Sequence, residues 1–234
     1  MGKKYNRRTL FRVKQFYNIF SSGKVSPLAT QLTWSHYIEL LPIKDENELE
    51  YYLTISINQN LSRNDLRSKI KSKEYQRLNN STKNKFRTKV EIGIGEFVPN
   101  PILIRNKYNV KVINEKMLHQ LILENISSFM KELGSGYSFI DSEYRIKLDD
   151  RYNFIDLLLY NIKYKCYIVI ELKVTELKSE HTGQIQKYMN YIDKNIKSIE
   201  ENDTIGIIIC KKDNRYVIEY CSDDRIVARK YELV

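Results

Sequence analysis

Residues 154–173 read FIDLLLYNIKYKCYIVIELK, and this stretch predicts two neighbouring β-strands joined by a short polar bend. Asp156 lies inside the first apolar run, and Glu171 and Lys173 lie at alternate positions inside the second. Burying an unpaired carboxylate or ammonium costs several kcal/mol even after the surroundings relax. A divalent cation shared by the two carboxylates is one arrangement that offsets this cost.

The segments around these strands predict an α/β fold. Their order is a helix, a three-stranded antiparallel meander, a helix and a strand, which is typical of an α/β sandwich core. Asn114 is the expected cap of the first helix and Gly134 its end. The expected elements are a helix over 115–133, a strand within YSFIDSEYRIKL, the two strands above, a helix over 180–195, a buried strand over 205–210, and two further strands over 216–221 and 226–233.

The N-terminal part predicts a separate domain. Residues 1–78 show short helical patterns, residues 79–113 read as a polar, proline-containing linker or arm, and residues 114–234 form the α/β domain. Ser62 opens a short helix that carries five basic side chains, and this is the shape of a helix that reads a DNA groove. A solvated helix face is the alternative explanation. The five side chains are Arg63, Arg67, Lys69, Lys71 and Lys73.

The net charge of +10 is unevenly distributed over the 234 residues. Residues 1–113 hold 21 Lys+Arg against 9 Asp+Glu, whereas residues 114–234 hold 18 against 20. This asymmetry indicates an N-terminal surface for a polyanion, and nucleic acid is favoured because no amphipathic membrane-surface segment is present. The three cysteines have no C-x-x-C spacing and lie in apolar runs, so we expect reduced thiols and a cytoplasmic protein.

The three charged residues of the strand pair have the composition of a hydrolytic metal site. Glu171 and Lys173 are two apart in a strand and therefore share one face, and Asp156 on the neighbouring strand can lie opposite them. Two carboxylates supply the hard oxygen ligands that Mg²⁺ prefers, and a bound water would be the nucleophile. Lys173 would orient the water, deprotonate it or stabilise charge on a phosphate. The spacing by itself is a loose pattern that also arises by chance.

Two helices add candidates to this site. Gln184 and Tyr188 are four apart and share one helix face, although a polar surface pair would show the same spacing. In the helix before the strands, Glu124 and Glu132 compete for the role of a further acidic ligand. Helical periodicity places Glu132 nearer the apolar stripe and so favours Glu132.

Long stretches of the chain resemble the PD-(D/E)XK nuclease superfamily, and specifically its YhcG-like family. The resemblance lies in ELGSGYSFI, YNFIDLLLYNIKYKCYIVIELK, HTGQIQKYMNYIDK and IGIIIC, and it covers roughly residues 114–222. FRVKQFYNIF, LTWSHYIELL and LSRNDLRSKIKSKEYQRL resemble that family's leading domain, in a shortened form. The first catalytic motif departs from the family pattern, since it reads Ile155-Asp156 instead of Pro-Asp.

The resemblance implies a restriction-endonuclease-like core that binds Mg²⁺ or Mn²⁺. Asp156, Glu171 and Lys173 would be its catalytic trio, and Gln184 and Tyr188 match the Q-x-x-x-Y motif of the RecB-like branch. Against helical periodicity, the resemblance also favours Glu124 as the metal-ligating acid of the helix.

Together, the residues and the resemblance predict a metal-dependent nuclease that hydrolyses phosphodiester bonds in DNA, in repair, recombination, mobile-element or defence processes. We expect DNA as the partner and no association with membranes. The sequence is compatible with a homo-oligomer and with partner proteins of recombination or defence. The alternatives are a non-catalytic DNA-binding or adaptor protein that retains the nuclease fold, and a nuclease subunit that is active only with a partner.

Overall fold

The computed structural model describes residues 6–21, 32–88, 93–110, 112–221 and 223–234. The chain forms two compact units. The first contains Met1–Arg77 and Phe86–Lys89, and the second contains Leu78–Lys85 and Val90–Val234.

The first unit is helical, as the sequence predicts. Ser62 begins the basic helix in the expected way, because its hydroxyl accepts a hydrogen bond from the Asp65 backbone N–H at 3.2 Å. Tyr51 and Tyr52 of the third helix are almost fully buried and form the centre of the unit. Its described helices are α1 (Arg7–Phe20), α2 (Trp34–Leu40), α3 (Glu46–Asn58), α4 (Arg63–Lys71) and α5 (Glu74–Arg77).

The second unit is built on a sheet of six strands in the order β1-β6-β5-β4-β3-β2, counted over the residues described. The strands β2, β3 and β4 form the expected antiparallel meander, and β4, β5, β6 and β1 pair in parallel. The strands are β1 (Ile102–Ile104), β2 (Tyr137–Leu148), β3 (Arg151–Asn161), β4 (Cys166–Glu176), β5 (Asn202–Lys212) and β6 (Ile226–Leu233). The helices from residue 80 onward are α6 (Asn80–Thr88), a 3₁₀ turn (Ile94–Phe97), α7 (Glu115–Glu124), α8 (Ile126–Leu133), α9 (Ser179–Asn195) and α10 (Arg215–Cys221).

Helices cover both faces of this sheet, which confirms the α/β sandwich. Side chains of α7 and α8 pack with Ile168, Ile170 and Leu172 in one buried cluster. Side chains of α9 pack with Val169 and Ile208 in a second cluster on the other face. Because the side chains of β4 alternate between the two clusters, β4 is buried on both faces over most of its length.

Two expected elements are wrong in detail. The predicted helix over 115–133 is interrupted at Asn125, whose φ of −131° and ψ of 35° end α7 before α8 begins. Asparagine competes with helical hydrogen bonding, so the interruption falls at a residue that favours it. The predicted strand over 216–221 is the helix α10, since a short apolar run does not distinguish the two by periodicity.

The expected linker is mostly structured. Its residues 102–104 form β1, which pairs with β6 through Ile102 and Tyr231. The guanidinium of Arg229 is buried and donates hydrogen bonds to the carbonyl of Val98 at 2.8 Å and of Gly95 at 2.7 Å. The sequence did not predict β1, because the segment contains prolines and because three residues are too few to show the alternation of a strand.

Among the described residues, no helix combines the length and apolar character that crossing a membrane requires. Cys166 and Cys210 are buried free thiols, as expected, and the Cys221 side chain lies outside the described part of the chain.

Candidate active site

The candidate site begins where β3 and β4 separate. Their pairing runs from Asn161 opposite Cys166 to Leu157 opposite Ile170 and then ends. One residue further, the Oδ2 atom of Asp156 accepts a hydrogen bond from the backbone N–H of Leu172 at 2.7 Å. The Asp156 side chain thus replaces a strand contact and fixes its carboxylate at the opening between the two strands.

Glu171 and Lys173 face this opening as their alternation predicts. They alternate along β4 with Ile170 and Leu172, which are in the hydrophobic core. The Nζ atom of Lys173 donates a hydrogen bond to Oε1 of Glu171 at 2.7 Å. The structure therefore brings Asp156, Glu171 and Lys173 together at one point.

The second oxygen of Glu171 is unsatisfied. Glu171 is 2% exposed, and its buried Oε2 atom has no hydrogen-bond partner among the described residues. Burial is the main cause that raises the pKa of Glu171 to about 7, and the negative charge of Asp156 raises it further. Burial also raises the pKa of Asp156, against the opposing hydrogen bond from Leu172. Both carboxylates are held at a cost that a bound cation would remove.

Lys173 keeps its charge in this setting. Burial alone lowers the pKa of Lys173, but the hydrogen bond and negative charge of Glu171 outweigh it and the net pKa is raised. The raised pKa favours the ammonium form of Lys173 at neutral pH while Glu171 is charged. The three roles open to Lys173, which are orienting the water, deprotonating it and stabilising charge on a phosphate, stay predictions.

Gln184 and Tyr188 form a polar pair on α9. The Gln184 side-chain amide donates to the Tyr188 hydroxyl at 3.0 Å. Burial raises the pKa of Tyr188, and the charges of Glu171 and Asp156 add to the shift. Tyr188 packs in the same buried cluster as Val169, two residues before Glu171 on β4, so the pair lies on the same side of the sheet as Glu171.

A glycine on β5 allows α9 to approach the sheet closely. A Cβ atom on Gly206 would lie 2.7 Å from the Met189 sulfur and 3.0 Å from a methyl of Ile185. A larger residue there would displace the Met189 and Ile185 side chains, which pack α9 against the sheet.

Glu115 and His119 of α7 also reach the site, and the sequence analysis did not single them out. The Glu115 carboxylate lies 3.8 Å from Nζ of Lys173. His119 donates its Nε2–H to the carbonyl oxygen of Asp156 at 3.0 Å, and so holds the backbone where the strands part. The two are four residues apart in the helix that precedes the strands, and this spacing was the available signal.

The two predicted helix acids, Glu124 and Glu132, bind residues outside the trio. The Glu124 carboxylate accepts hydrogen bonds from the Tyr108 hydroxyl at 3.1 Å and from the Gln120 amide. The Glu132 carboxylate accepts from the backbone N–H of Leu103 at 3.0 Å. Glu115, by contrast, has its carboxylate 3.8 Å from Nζ of Lys173. The choice of Glu124 as a metal ligand stays a prediction. The break at Asn125 ends α7 at Glu124, so this region is not the single straight helix that the sequence predicts.

The donor set fits a hard cation that keeps part of its hydration. Asp156 and Glu171 supply carboxylate oxygens, and the bare Glu171 Oε2 is the atom that most needs a positive partner. Over the described part of the chain, no three His, Cys, Asp or Glu side chains are grouped closely enough to enclose an ion. Mg²⁺ is commonly held in this way, by one or two carboxylates together with waters and substrate phosphate.

The predicted DNA-contacting helix α4 is largely paired within its own unit. Arg63 and Arg67 both bind the Glu39 carboxylate, at 2.9 and 2.8 Å. Lys69 is mostly buried and binds Glu74 at 2.6 Å, so it is not a surface contact. Lys71 and Lys73, by contrast, are exposed. This arrangement reduces the cationic surface that the sequence suggested for α4.

A basic groove lies in the second unit, between α9 and the β2–β3 turn. It has a volume of about 550 Å³, and its lining includes Arg151, Lys187 and Lys194 together with a single acid, Asp149. These three cations are exposed and have no ion-pair partner in the described ranges. Lys187 adjoins Tyr188 in sequence, so the groove begins beside the polar pair of α9.

Comparison with known proteins agrees with this geometry. A family model described as the YhcG PDDEXK nuclease domain matches residues 103–234, and one described as the DUF1016 N-terminal domain matches residues 1–77. The protein named "Putative nuclease YhcG" of Escherichia coli (strain K12) is 28% identical over 97 residues, which are 42% of this chain and 26% of the relative. The match therefore spans about a quarter of that relative's length.

Solved structures give weaker similarities. A repair endonuclease from Pyrococcus abyssi is 15% identical, with a TM-score of 0.37 over 54% of this chain and 49% of its own. A complex of EndoMS with double-stranded DNA is also 15% identical, with a TM-score of 0.36 over 55% of this chain and 48% of its own.

Proposed function

The chain belongs to the YhcG PDDEXK nuclease family, and from that premise we propose that it is a divalent-metal-dependent nuclease that hydrolyses DNA. One observation carries this proposal. Glu171 is almost fully buried beside a second carboxylate, and one of its two oxygens has no partner. A fold that is maintained only for packing has no physical reason to keep such an arrangement.

Each residue has a distinct task in this proposal. Asp156 and Glu171 would hold the cation, Mg²⁺ or Mn²⁺, and Glu115, whose carboxylate lies 3.8 Å from Nζ of Lys173, would add negative charge beside it. When bound, the cation polarises the phosphodiester and makes the attacking water more acidic. His119 keeps Asp156 in place through the backbone.

Lys173, Gln184 and Tyr188 act on the substrate. The Lys173 ammonium stabilises the negative charge that develops on the phosphate. Gln184 and Tyr188 present an amide and a phenol that hydrogen-bond to phosphate or water and orient them.

Arg151, Lys187 and Lys194 line the basic groove beside α9, here called the α9 groove, and have no ion-pair partner in the described ranges. They neutralise neighbouring phosphates and so guide the strand into the site. The buried free thiols of Cys166 and Cys210 fit a reducing cytoplasm.

A cleavage assay tests this proposal. Supercoiled plasmid and branched DNA are incubated with the full chain in Mg²⁺ or Mn²⁺, and nicked or linear products are measured. We expect Asp156→Ala and Glu171→Ala to lose at least about a hundredfold in rate, because the cation supplies several kcal/mol of transition-state stabilisation.

Glu176→Ala is the matched control, since Glu176 is an exposed carboxylate on the same strand. It should cleave like the wild type, and circular dichroism should show that all three variants are folded. Unchanged activity in Asp156→Ala or Glu171→Ala would contradict the assignment of the site.

A further inference from the structure

The hairpin of β2 and β3 carries an exposed face of aromatic and basic side chains. Tyr152 and Phe154 are 59% and 52% exposed, while Ile155 next to them is fully buried. On β2, Arg145 and Lys147 are exposed and Ile146 between them is buried. Alternation therefore places these four exposed residues on one side of the hairpin, opposite the hydrophobic core. We call Arg145, Lys147, Tyr152 and Phe154 the stacking face.

The register brings cations and rings together. Arg145 is opposite Phe154, and Lys147 is opposite Tyr152. The Arg145 guanidinium carbon lies 5.0 Å from the centre of the Tyr152 ring. Within the residues described, neither Arg145 nor Lys147 has an acidic partner. The face thus offers both ring surfaces and uncompensated positive charge.

The spacing of the two rings suits nucleotide bases. Tyr152 and Phe154 are two residues apart in an antiparallel strand, and their attachment points are therefore about 6.8 Å apart. This is about twice the 3.4 Å by which successive nucleotides rise along one strand of DNA. Every base has a planar face, so two aromatic rings at this spacing accept bases of any sequence.

The stacking face ends close to the proposed catalytic centre along β3. Asp156 follows Phe154 by two residues, so their backbones are about 6.8 Å apart. Ile155 packs in the same cluster as α9 and Val169, so the stacking face lies on the side of the hairpin away from α9.

We propose that the stacking face binds unpaired bases of the nucleic-acid substrate, in a part of the strand that flanks the segment that is cut. The substrate class would be DNA with a single-stranded, branched or unwound segment near the cleavage site, since bases within an intact duplex have no free faces to offer. The proposal rests on the proposed nuclease function for the position of the cut, and on the hairpin alone for base binding. Charge favours this occupant over a protein partner, because two unpaired cations flank the two rings.

Oligonucleotide binding tests the proposal without any cleavage. The full chain is titrated in EDTA into fluorescent oligo-dT, into an abasic oligomer of the same length, and into duplex DNA, with anisotropy as the readout. We expect oligo-dT to bind at least about fivefold more tightly than the abasic oligomer. Tyr152→Ala and Phe154→Ala should each weaken oligo-dT binding by about fivefold or more and leave abasic binding unchanged.

Two controls separate stacking from charge and from folding. Tyr216→Ala removes a tyrosine that is 75% exposed on α10, and it should leave all three affinities unchanged. Lys147→Gln should weaken oligo-dT and abasic binding equally, because it removes a charge and leaves the contact between Arg145 and Tyr152 in place. Equal affinity of the wild type for oligo-dT and the abasic oligomer would overturn the proposal. Unchanged oligo-dT binding in the Tyr152→Ala, Phe154→Ala double variant, with loss of a wild-type dimer in ultracentrifugation, would instead assign the face to a second copy of the chain.

The result is independent of the cleavage assay. If the wild type cleaves DNA with metal but binds oligo-dT and the abasic oligomer equally, this inference alone is rejected. If the wild type prefers oligo-dT but does not cleave DNA, the proposed function alone is rejected.

Discussion

Each of the two units contains a buried ion pair of lysine and glutamate, and the two pairs differ in one respect. In the first unit, Lys69 binds Glu74 at 2.6 Å, and the other Glu74 oxygen accepts a hydrogen bond from the Tyr51 hydroxyl at 2.8 Å. In the second unit, Lys173 binds Glu171 at 2.7 Å, and the other Glu171 oxygen has no partner.

The difference separates a structural pair from a functional one. A buried carboxylate with both oxygens satisfied holds its surroundings together and needs nothing more. Glu171 also lies beside Asp156, so its pair contains more negative charge than Lys173 can balance. The excess negative charge and the bare oxygen together describe a place for a cation.

Removing each glutamate charge should therefore have opposite consequences for stability. Glu74→Gln deprives the buried Lys69 of its carboxylate, and we expect a loss of about 3 kcal/mol in the free energy of unfolding. Glu171→Gln relieves repulsion with Asp156, while Glu115 stays near Lys173, so above pH 7 we expect a gain of up to about 3 kcal/mol, the amount by which the raised pKa destabilises the charged form. Urea unfolding measures both, and the single tryptophan, Trp34, reports on the first unit. A larger loss for Glu171→Gln than for Glu74→Gln would reverse the distinction.

The pH dependence of the metal-free protein should show the same excess of charge. Burial and the charge of Asp156 raise the pKa of Glu171 from its ordinary value of 4.5 to about 7. Between these values the folded protein holds a proton that the unfolded chain has lost, so this contribution to stability is complete below pH 4.5 and is lost as the pH rises through 7. The loss is about 3 kcal/mol.

Thermal unfolding from pH 5 to 8 in EDTA measures this effect. We expect the melting temperature to fall with rising pH in the wild type and to fall less in Glu171→Gln. Saturating Mn²⁺ should abolish the fall, because the cation binds the deprotonated carboxylates. A melting temperature that rises from pH 5 to 8 in EDTA would count against the shifted pKa.

The smallest expected effect concerns DNA binding by the two units. Lys187→Gln with Lys194→Gln removes two unpaired cations of the α9 groove, and should reduce the salt dependence of duplex binding by up to about two phosphate contacts. Arg67→Gln removes a guanidinium that Glu39 already neutralises, and should leave the salt dependence unchanged. DNA affinities measured over a series of salt concentrations give the salt dependence of each variant. A larger change in salt dependence for Arg67→Gln than for the Lys187→Gln, Lys194→Gln variant would indicate that α4 is the main DNA contact.

The sequence predicts most of the strand pair, because side chains in a strand alternate between its two faces. This alternation alone places Glu171 and Lys173 on one face, and the apolar runs around them predict the two strands. Position along the chain also located Gln184 and Tyr188, because residues four apart share a helix face. Strand alternation and the four-residue helix spacing both involve residues that are close in the chain, so they can be recognised in a single sequence.

The features that the sequence did not predict depend on contacts between distant segments. Glu115 reaches Lys173 only because α7 packs across the sheet, and helical periodicity taken alone favoured Glu132. The structured segment before α7 depends on Arg229, which is more than a hundred residues away. The pairing of Arg67 with Glu39 likewise joins two separate helices, and it could not be read from the charge of α4.

Calorimetric titration of the full chain with Mn²⁺ at pH 7.5 tests the central distinction most directly. The wild type and a folded Glu74→Gln variant should bind Mn²⁺ and release protons, whereas Glu171→Gln and Asp156→Asn should show no binding heat above dilution. No heat from the wild type, or binding by Glu171→Gln equal to that of the wild type, would contradict the assignment of the unsatisfied Glu171 oxygen to a metal site.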